Sequence, residues 1–368
     1  MKIRKTIGRA LLAILTIALV LAGVVVMFLL FYPPVGKTPN KEERMLLSSR
    51  SNHYFDGKFR NLEEVTTLSG ERSTPSDRKT PQTMLKAQTP SLSAGMQDGD
   101  LRFAWLGHSS FLLQMGERNV LVDPVLSERS SPVGFIGPKR FSEIPLTEDE
   151  LPKIDVLFIS HDHYDHLDYR TILAIRGKVG AFVVPLGLDS VLKSWGIDET
   201  KVHTLDWWES TEVGCLTCTM TPSQHFSGRN PLKGNSTLWG GLYLDDGTNR
   251  VYYTGDGGYC GVFTDVQKRL GAPTLMFAEC GQYDDAWARI HMFPEQTVQA
   301  ALDTGAEWLV PVHWGAFCIC NHAWDDSIRR VTIAAEASGL PLATPEIGQT
   351  VDYTEIARCT EHWWEAYE

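Results

Sequence analysis

Ser160-His161-Asp162-His163-Tyr164-Asp165-His166-Leu167-Asp168 follows the apolar run at residues 154–159, and its reading decides that of the chain. A strand repeats every two residues and a helix every 3.6, so His161, His163, Asp165 and His166 cannot all face one tetrahedral ion from a regular element. A loop leaving the end of a buried strand can divide them into pairs. His161 and His163 then serve one ion, and Asp165 and His166 serve a second about 3.5–4 Å away.

Such a site needs partners from elsewhere in the chain. Three further apolar strands lead to a suitable group: His225 after Thr219-Met-Thr-Pro-Ser-Gln, Asp256 after Val251-Tyr-Tyr-Thr-Gly, and His313 after Trp308-Leu-Val-Pro-Val. His225 completes the first triad and His313 the second, while Asp256, a lone carboxylate capping an apolar strand, bridges them. Taken singly, each of these three reads as an ordinary strand-end residue, and the glycines at 255, 257 and 258 give Asp256 the look of a turn. The dense His/Asp loop, which requires outside ligands, is what makes the set a site. Imidazole and carboxylate donors without cysteine suit two zinc ions and also tolerate iron or manganese. Asp123, closing Val120-Leu-Val before Pro124, is the expected carboxylate behind the site, holding the off-metal nitrogen of a ligand histidine or ordering the ligand loop. A plain strand-ending Asp-Pro turn is the alternative.

Around this loop the texture is one of short apolar runs. Strands are expected at 101–106, 111–115, 119–122, 156–159, 181–184, 214–219, 237–244, 251–253, 274–277 and 308–312, and helices at about 168–176, 186–194, 294–304 and 325–338. Early strands joined by hairpins and later ones alternating with helices imply an α/β fold of two sheets sandwiched between helices. Their strand ends would then share a rim, and the metal ligands lie on it.

Residues 10–32 are 23 positions without a charge, preceded by Lys2, Arg4, Lys5 and Arg9 and stopped by Pro33-Pro34. As a helix they reach about 34 Å, enough for a bilayer core. That is longer than the apolar region of about 7–15 residues in a cleaved signal peptide. The expectation is a single-pass membrane anchor, with the basic leader inside and the catalytic body extracytoplasmic. Lys37, Lys41, Arg44 and Arg50 on the far side oppose that orientation, and Glu42 and Glu43 partly offset them. The chain then divides into an anchor (1–32), a polar tether that wraps the main domain at islands such as Tyr54-Phe-Asp-Gly-Lys-Phe59 (33–100), and a hydrolase domain (101–368).

The formal charge of -11 repels a polyanion, so no nucleic acid is expected as a partner, whereas a single phosphoester can still bind at a dication. Seven scattered cysteines do not make a disulfide scaffold. Cys215-Leu-Thr-Cys218 has metal-like spacing but no second pair, and reads as buried thiols or a local disulfide. Trp207-Trp208 and Trp363-Trp364 read as packing before interfacial contacts. A homo-oligomer is compatible with all of this.

The His-x-His-x-Asp-His unit after its strand, with His225, Asp256 and His313 in order, resembles the metallo-β-lactamase superfamily over about residues 100–340. Members of that superfamily share an αβ/βα sandwich. Tyr54-Phe-Asp-Gly-Lys-Phe-Arg-Asn61, Trp105-Leu-Gly-His-Ser-Ser110, residues 160–168, His291-Met-Phe-Pro-Glu295 and His313-Trp-Gly-Ala-Phe317 resemble the branch of N-acylphosphatidylethanolamine-hydrolysing phospholipase D. The resemblance implies the same division of ligands, with Asp256 bridging, and sets His291 near a substrate phosphate; the residues alone rank His291 as a helix-cap or surface histidine. It implies a two-zinc phosphodiesterase in which a metal-activated hydroxide attacks phosphorus and an N-acylethanolamine or similar alcohol leaves. The catalytic roles fall on Asp165, primarily a ligand, on Asp256, and on His291, which positions the phosphate or helps protonate the leaving group. A lactone or amide hydrolase of the same fold is the leading alternative. A catalytically inactive envelope-associated binding protein is another, and it would require an incomplete ligand set.

Overall fold

The computed structural model describes residues 2–66, 70–91 and 95–367, with side chains from residue 6 onward. A short hairpin of Tyr54–Phe55 (β1) and Lys58–Phe59 (β2) comes before the main sheets. Leu101–Trp105 (β3), Phe111–Met115 (β4), Arg118–Val122 (β5), Ile154–Phe158 (β6), Val179–Pro185 (β7) and Val202–Leu205 (β8) lie side by side in one sheet. Ser210–Val213 (β9), Leu216–Thr221 (β10), Gly241–Asp245 (β11), Arg250–Tyr253 (β12), Leu275–Glu279 (β13) and Trp308–Val312 (β14) form a second, and Thr350–Asp352 (β15) returns to the free edge of β3. In the first sheet β5 to β8 run parallel, and in the second β12 to β14 do.

Alternation along the strands decides what each face buries. On β4, Phe111, Leu113 and Met115 join the core between the sheets, while Leu112 points to the opposite face. Phe111 stacks on Phe277 across the gap at 4.0 Å, one of many buried aromatic side chains each contributing about 1.5–3 kcal/mol. Helices Tyr169–Ile175 (α3) and Asp189–Ser194 (α4) bury Ile172, Ile175, Val191 and Leu192 on the outer face of the first sheet. Val262–Leu270 (α5), Pro294–Thr304 (α6) and Asp326–Ser338 (α7) cover the second with Val266, Val298, Ala301, Ile328 and Val331. The architecture is therefore the αβ/βα sandwich.

The segment before β3 is more than a tether. Lys41–Arg50 (helix α2, second in the chain) starts with a capping box between Asn40 and Glu43, and Tyr54, Phe59 and Leu85 are buried in the central core. Before it, helix α1 (Lys2–Phe31) contains a span, Thr6–Phe31, long and apolar enough to cross a membrane by length and composition, with no residue of that window buried. The leader residues Lys2, Arg4 and Lys5 lie outside the described side chains. The end of α1 is fastened to the body. Trp195 Nε1–H donates to Pro33 O (2.7 Å), Arg229 Nε–H to Pro34 O (2.8 Å) and Asn230 Nδ2–H to Leu29 O (3.2 Å).

Two further sequence expectations change, and one holds. The strand expected at 237–244 begins only at Gly241, because Leu238 N–H donates to Leu186 O and Gly240 N–H to Ser160 O, so these backbone groups stitch the two sheets together instead of extending a ladder. Cys215 is exposed and Cys218 buried, and both are free thiols rather than a local disulfide. Trp207 and Trp364 are buried and their neighbours Trp208 and Trp363 pack against the core, in line with the packing reading.

Candidate metal centre

The carboxyl ends of β5, β6, β10, β12, β13 and β14 meet at one rim; Glu279 ends β13, and the others are each followed within four residues by a polar group, Asp123, His161, His225, Asp256 and His313. The ligand loop after β6 adds His163, Asp165 and His166. All are buried or nearly so.

Hydrogen bonds fix which ring nitrogens carry protons. Asp123 accepts from Ser160 N–H (2.8 Å), from Ser160 Oγ–H and from Tyr253 O–H (2.7 Å), so Ser160 Oγ is left to accept from His161 Nδ1–H at 2.9 Å. The same carboxylate takes His166 Nδ1–H at 2.8 Å, and Ile290 O takes His225 Nδ1–H at 2.9 Å. The Nε2 lone pairs of His161, His166 and His225 are thereby aimed into the site. His161 Nε2 lies 2.9 Å from His163 Nδ1, and His225 Nε2 lies 3.3 Å from that same atom. Nitrogens on one zinc at 2.0–2.1 Å sit about 3.3–3.4 Å apart at tetrahedral angles, so the spacing suits a shared cation.

A second group gathers beside the first. Asp165, His166 and His313, with His108, offer donor atoms all within 4.8 Å of one another, as do His161, His163 and His225. Asp256 Oδ2 is 3.1 Å from His166 Nε2, 3.2 Å from His313 Nε2 and 3.8 Å from His161 Nε2, which sets it between the groups. Its other oxygen, Oδ1, is buried without a hydrogen-bond partner, an arrangement that costs free energy unless a cation sits there.

The electrostatics agree with that fit. Burial, then neighbouring histidines, hold His161 and His225 well below the ordinary imidazole range, and burial lowers His163 as well, so these rings are neutral donors. Burial would also lower His166, but Asp256, Asp165 and Asp123 outweigh it and push the ring well above the usual range; Asp256 with Asp165 and Glu279 likewise raises His313 to about 9 against burial. Four buried carboxylates thus demand positive charge, which protons on His166 and His313 or two dications would supply. The residues fit a pair of metal ions.

Two site residues escaped the sequence reading. His108, in the turn after β3, places Nε2 3.0 Å from Asp165 Oδ2 and is depressed to about 3, chiefly by burial and then by His313. Glu279 ends β13 and accepts from Gly257 N–H (3.0 Å), Met292 N–H (3.1 Å) and His291 Nδ1–H (3.1 Å). Through it His291 is held on the wall of the cavity that opens on the site. That cavity is about 400 Å³, with His163, Asp165, Asp256 and His313 at its base and Phe226, Trp287, Ile290 and Ile319 among its walls. Asn61, from the segment before β3, clamps the backbone of His225: its Oδ1 accepts from His225 N–H (3.0 Å) and its Nδ2–H donates to His225 O (2.9 Å).

Comparison with known proteins gives a match to the beta-lactamase superfamily domain over residues 118–314. An uncharacterised protein of Mycobacterium tuberculosis is 38% identical over 332 residues, covering 86% of this chain and 88% of its own. The N-acyl-phosphatidylethanolamine-hydrolyzing phospholipase D 1 of Caenorhabditis elegans is 31% identical over 256 residues, 66% of this chain and 72% of that one. Among solved structures, a metallo hydrolase from Ignicoccus hospitalis superposes with a TM-score of 0.52 at 21% identity, covering 69% of this chain and 98% of that one.

Proposed function

The chain belongs to the metallo-β-lactamase superfamily and is a metal-dependent hydrolase, and within that family we propose that it is a two-zinc phosphodiesterase of phospholipase D type, acting on N-acylphosphatidylethanolamine-like lipids. In this reading α1 anchors it in a membrane as a single pass, with the body on the extracytoplasmic side. His161, His163 and His225 would hold one ion and Asp165, His166 and His313 the other, with Asp256 available to both. Iron or manganese would satisfy the same donors.

The observation that carries the reading is the cavity: apolar walls of Phe226, Trp287, Ile290 and Ile319 stand directly over the polar base, as a lipid diester with a buried phosphate requires. The similarity to the nematode enzyme supports the same substrate class. When bound, the dications supply Lewis-acid polarisation of a phosphoryl oxygen and lower the pKa of a water toward about 7. The chain's own residues do the rest. His108 orients Asp165. Asp123 and Ser160 lock the tautomers of His161 and His166. Glu279 stays ionised, since His291 and His313 outweigh the effect of burial, and it fixes His291 through Nδ1. Nε2 of His291 is then available on the cavity wall to hold the phosphate or pass a proton to the departing alcohol oxygen.

The test is product analysis with purified, metal-assayed protein on N-acylated phosphatidylethanolamine, ordinary phosphatidylethanolamine, a generic phosphodiester and a lactone and amide panel. Release of phosphatidic acid and N-acylethanolamine is expected. Ring opening or amide cleavage without phosphodiester cleavage would replace this reading with that of a carbonyl hydrolase.

A further inference from the structure

We propose that the mouth of the metal site is seated on the bilayer by two loops, residues 127–139 and 226–233, whose tips enter the lipid headgroup region beside the end of α1. This rests on the reading of α1 as a membrane anchor.

Each loop reaches from the metal-site cavity to the anchor. In the first, Ser130 and Pro138 line that cavity, while Val133 and Gly134 share a separate one of about 260 Å³ with Tyr32, Pro33 and Pro34. In the second, Phe226 lines the metal-site cavity, and Asn230 hydrogen-bonds the α1 carbonyl of Leu29. Between them, Arg229 fixes the geometry. Its Nε–H donates to Pro34 O (2.8 Å) and its Nη1–H to Asp162 O (3.1 Å) and Leu167 O (2.7 Å), so one guanidinium ties the exit of the anchor to the ligand loop.

The tips carry what a lipid surface would receive. Phe135 is 82% exposed, Ile136 63% and Leu232 54%. Adjacent exposed side chains of this size, Phe135 beside Ile136, with Leu232 on the second loop, are apolar surface that a lipid interface would cover. The first loop is held out rather than slack: Ser130 N–H donates to Pro138 O (3.2 Å), Arg140 N–H to Glu128 O (2.8 Å) and Arg129 Nη1–H to Gly137 O (2.6 Å). Arg129 and Lys139 flank the first tip in sequence, Arg170 lies against Gly134 in that loop, and Lys233 follows Leu232 in the second, with Glu128 opposing them, a local basic excess in a chain of charge -11. Apolar tips ringed by Lys and Arg suit an anionic lipid–water interface, where such side chains settle about 5–10 Å into the headgroup and acyl boundary. The cavity mouth then opens at the depth of a lipid phosphate.

The test uses the full chain with Cys215→Ser, which removes the thiol that is exposed among the described residues. An environment-sensitive fluorophore is attached at Ile136→Cys, at Phe135→Cys, at Leu21→Cys in α1, or at Ile333→Cys on α7, and each protein is reconstituted in phosphatidylcholine/phosphatidylglycerol vesicles with or without nitroxide-bearing lipid. Labels at 135, 136 and 21 should lose about half their emission or more to the nitroxide, and the label at 333 should not. Unquenched labels at both 135 and 136 overturn the proposal whatever the label at 21 does. Quenching at 136 with none at 21 would overturn it as well, because the loops would then meet lipid without the anchor they are placed beside. Because quenching reads position and not turnover, a quenched loop on a protein that leaves N-acylated lipid intact would uphold the docking surface while sinking the substrate reading.

Discussion

Asp123 accepts four hydrogen bonds in a fully buried position, and two of them set the tautomers on which the site depends, one directly at His166 and one through Ser160 at His161. Replacing it by Asn should therefore weaken metal binding by about 10–100-fold without removing a ligand, measured by chelator competition. Unchanged affinity would mean that the tautomers are set elsewhere. His291 touches the cavity but belongs to neither expected triad. His291→Ala should keep both metals and lower kcat by about 10²-fold, and full turnover would take it off the reaction path. Asp123, His108 and His313 have left-handed backbone (φ 40°, 53° and 68°), a conformation costly for non-glycine residues; the paired backbones of His108 with His313 and Trp314 hold two of them, and Asp123 N–H donates to Phe158 O. The sequence made the clustered donors legible because six residues carried four of them. His108 was hidden, since nothing in a turn between two strands says that it faces Asp165. Glu279 was readable in principle: a lone carboxylate ending an apolar strand is the same signal that drew attention to Asp256.

Strand ends bring the donors together, and the segments that follow the parallel neighbours β13 and β14 approach most closely at the rim. A Cβ on Gly281 would stand 1.8 Å from His313 O, against backbone that cannot yield, whereas one on Gly261 meets nothing within 4 Å. Gly281→Ala should lower stability by about 1–3 kcal/mol or more and displace His313, with thermal unfolding and metal content as the readouts, while Gly261→Ala changes little. Equal behaviour of the two would mean that the rim is looser than drawn. The ten strands expected from apolar runs all occur, because a strand buried in a sandwich must be apolar. Those of the two main sheets not foreseen are short or half-exposed: Val202-His-Thr-Leu205, Ser210-Thr-Glu-Val213 and Thr350-Val-Asp352 sit at sheet edges, where water satisfies one side and the apolar signal fades. Helix α5 has no side-chain cap to announce it. Helix α2 has a capping box, Asn40 with Glu43, but buries only Leu47, so its apolar stripe is nearly absent.

Taken together, a chain of charge -11 with a long, unburied apolar helix carries its metal site a few hydrogen bonds from where that helix ends. Removing residues 1–27 leaves Leu29, Pro33 and Pro34 in place for their partners, so the body should keep its hydrolysis of a water-soluble diester. Hydrolysis of vesicle-borne lipid should fall by about 10²-fold or more with the lost effective concentration. Equal loss on both substrates would count against a lipid role. The central claim, a hydrolase built on two metal ions joined by one carboxylate, is tested most directly by measuring metal per chain and turnover together in the wild type and in Asp256→Asn. The expected result is about two ions per wild-type chain and a variant that loses an ion or falls by about 10² or more in kcat. A variant that retains both ions and full turnover would contradict it.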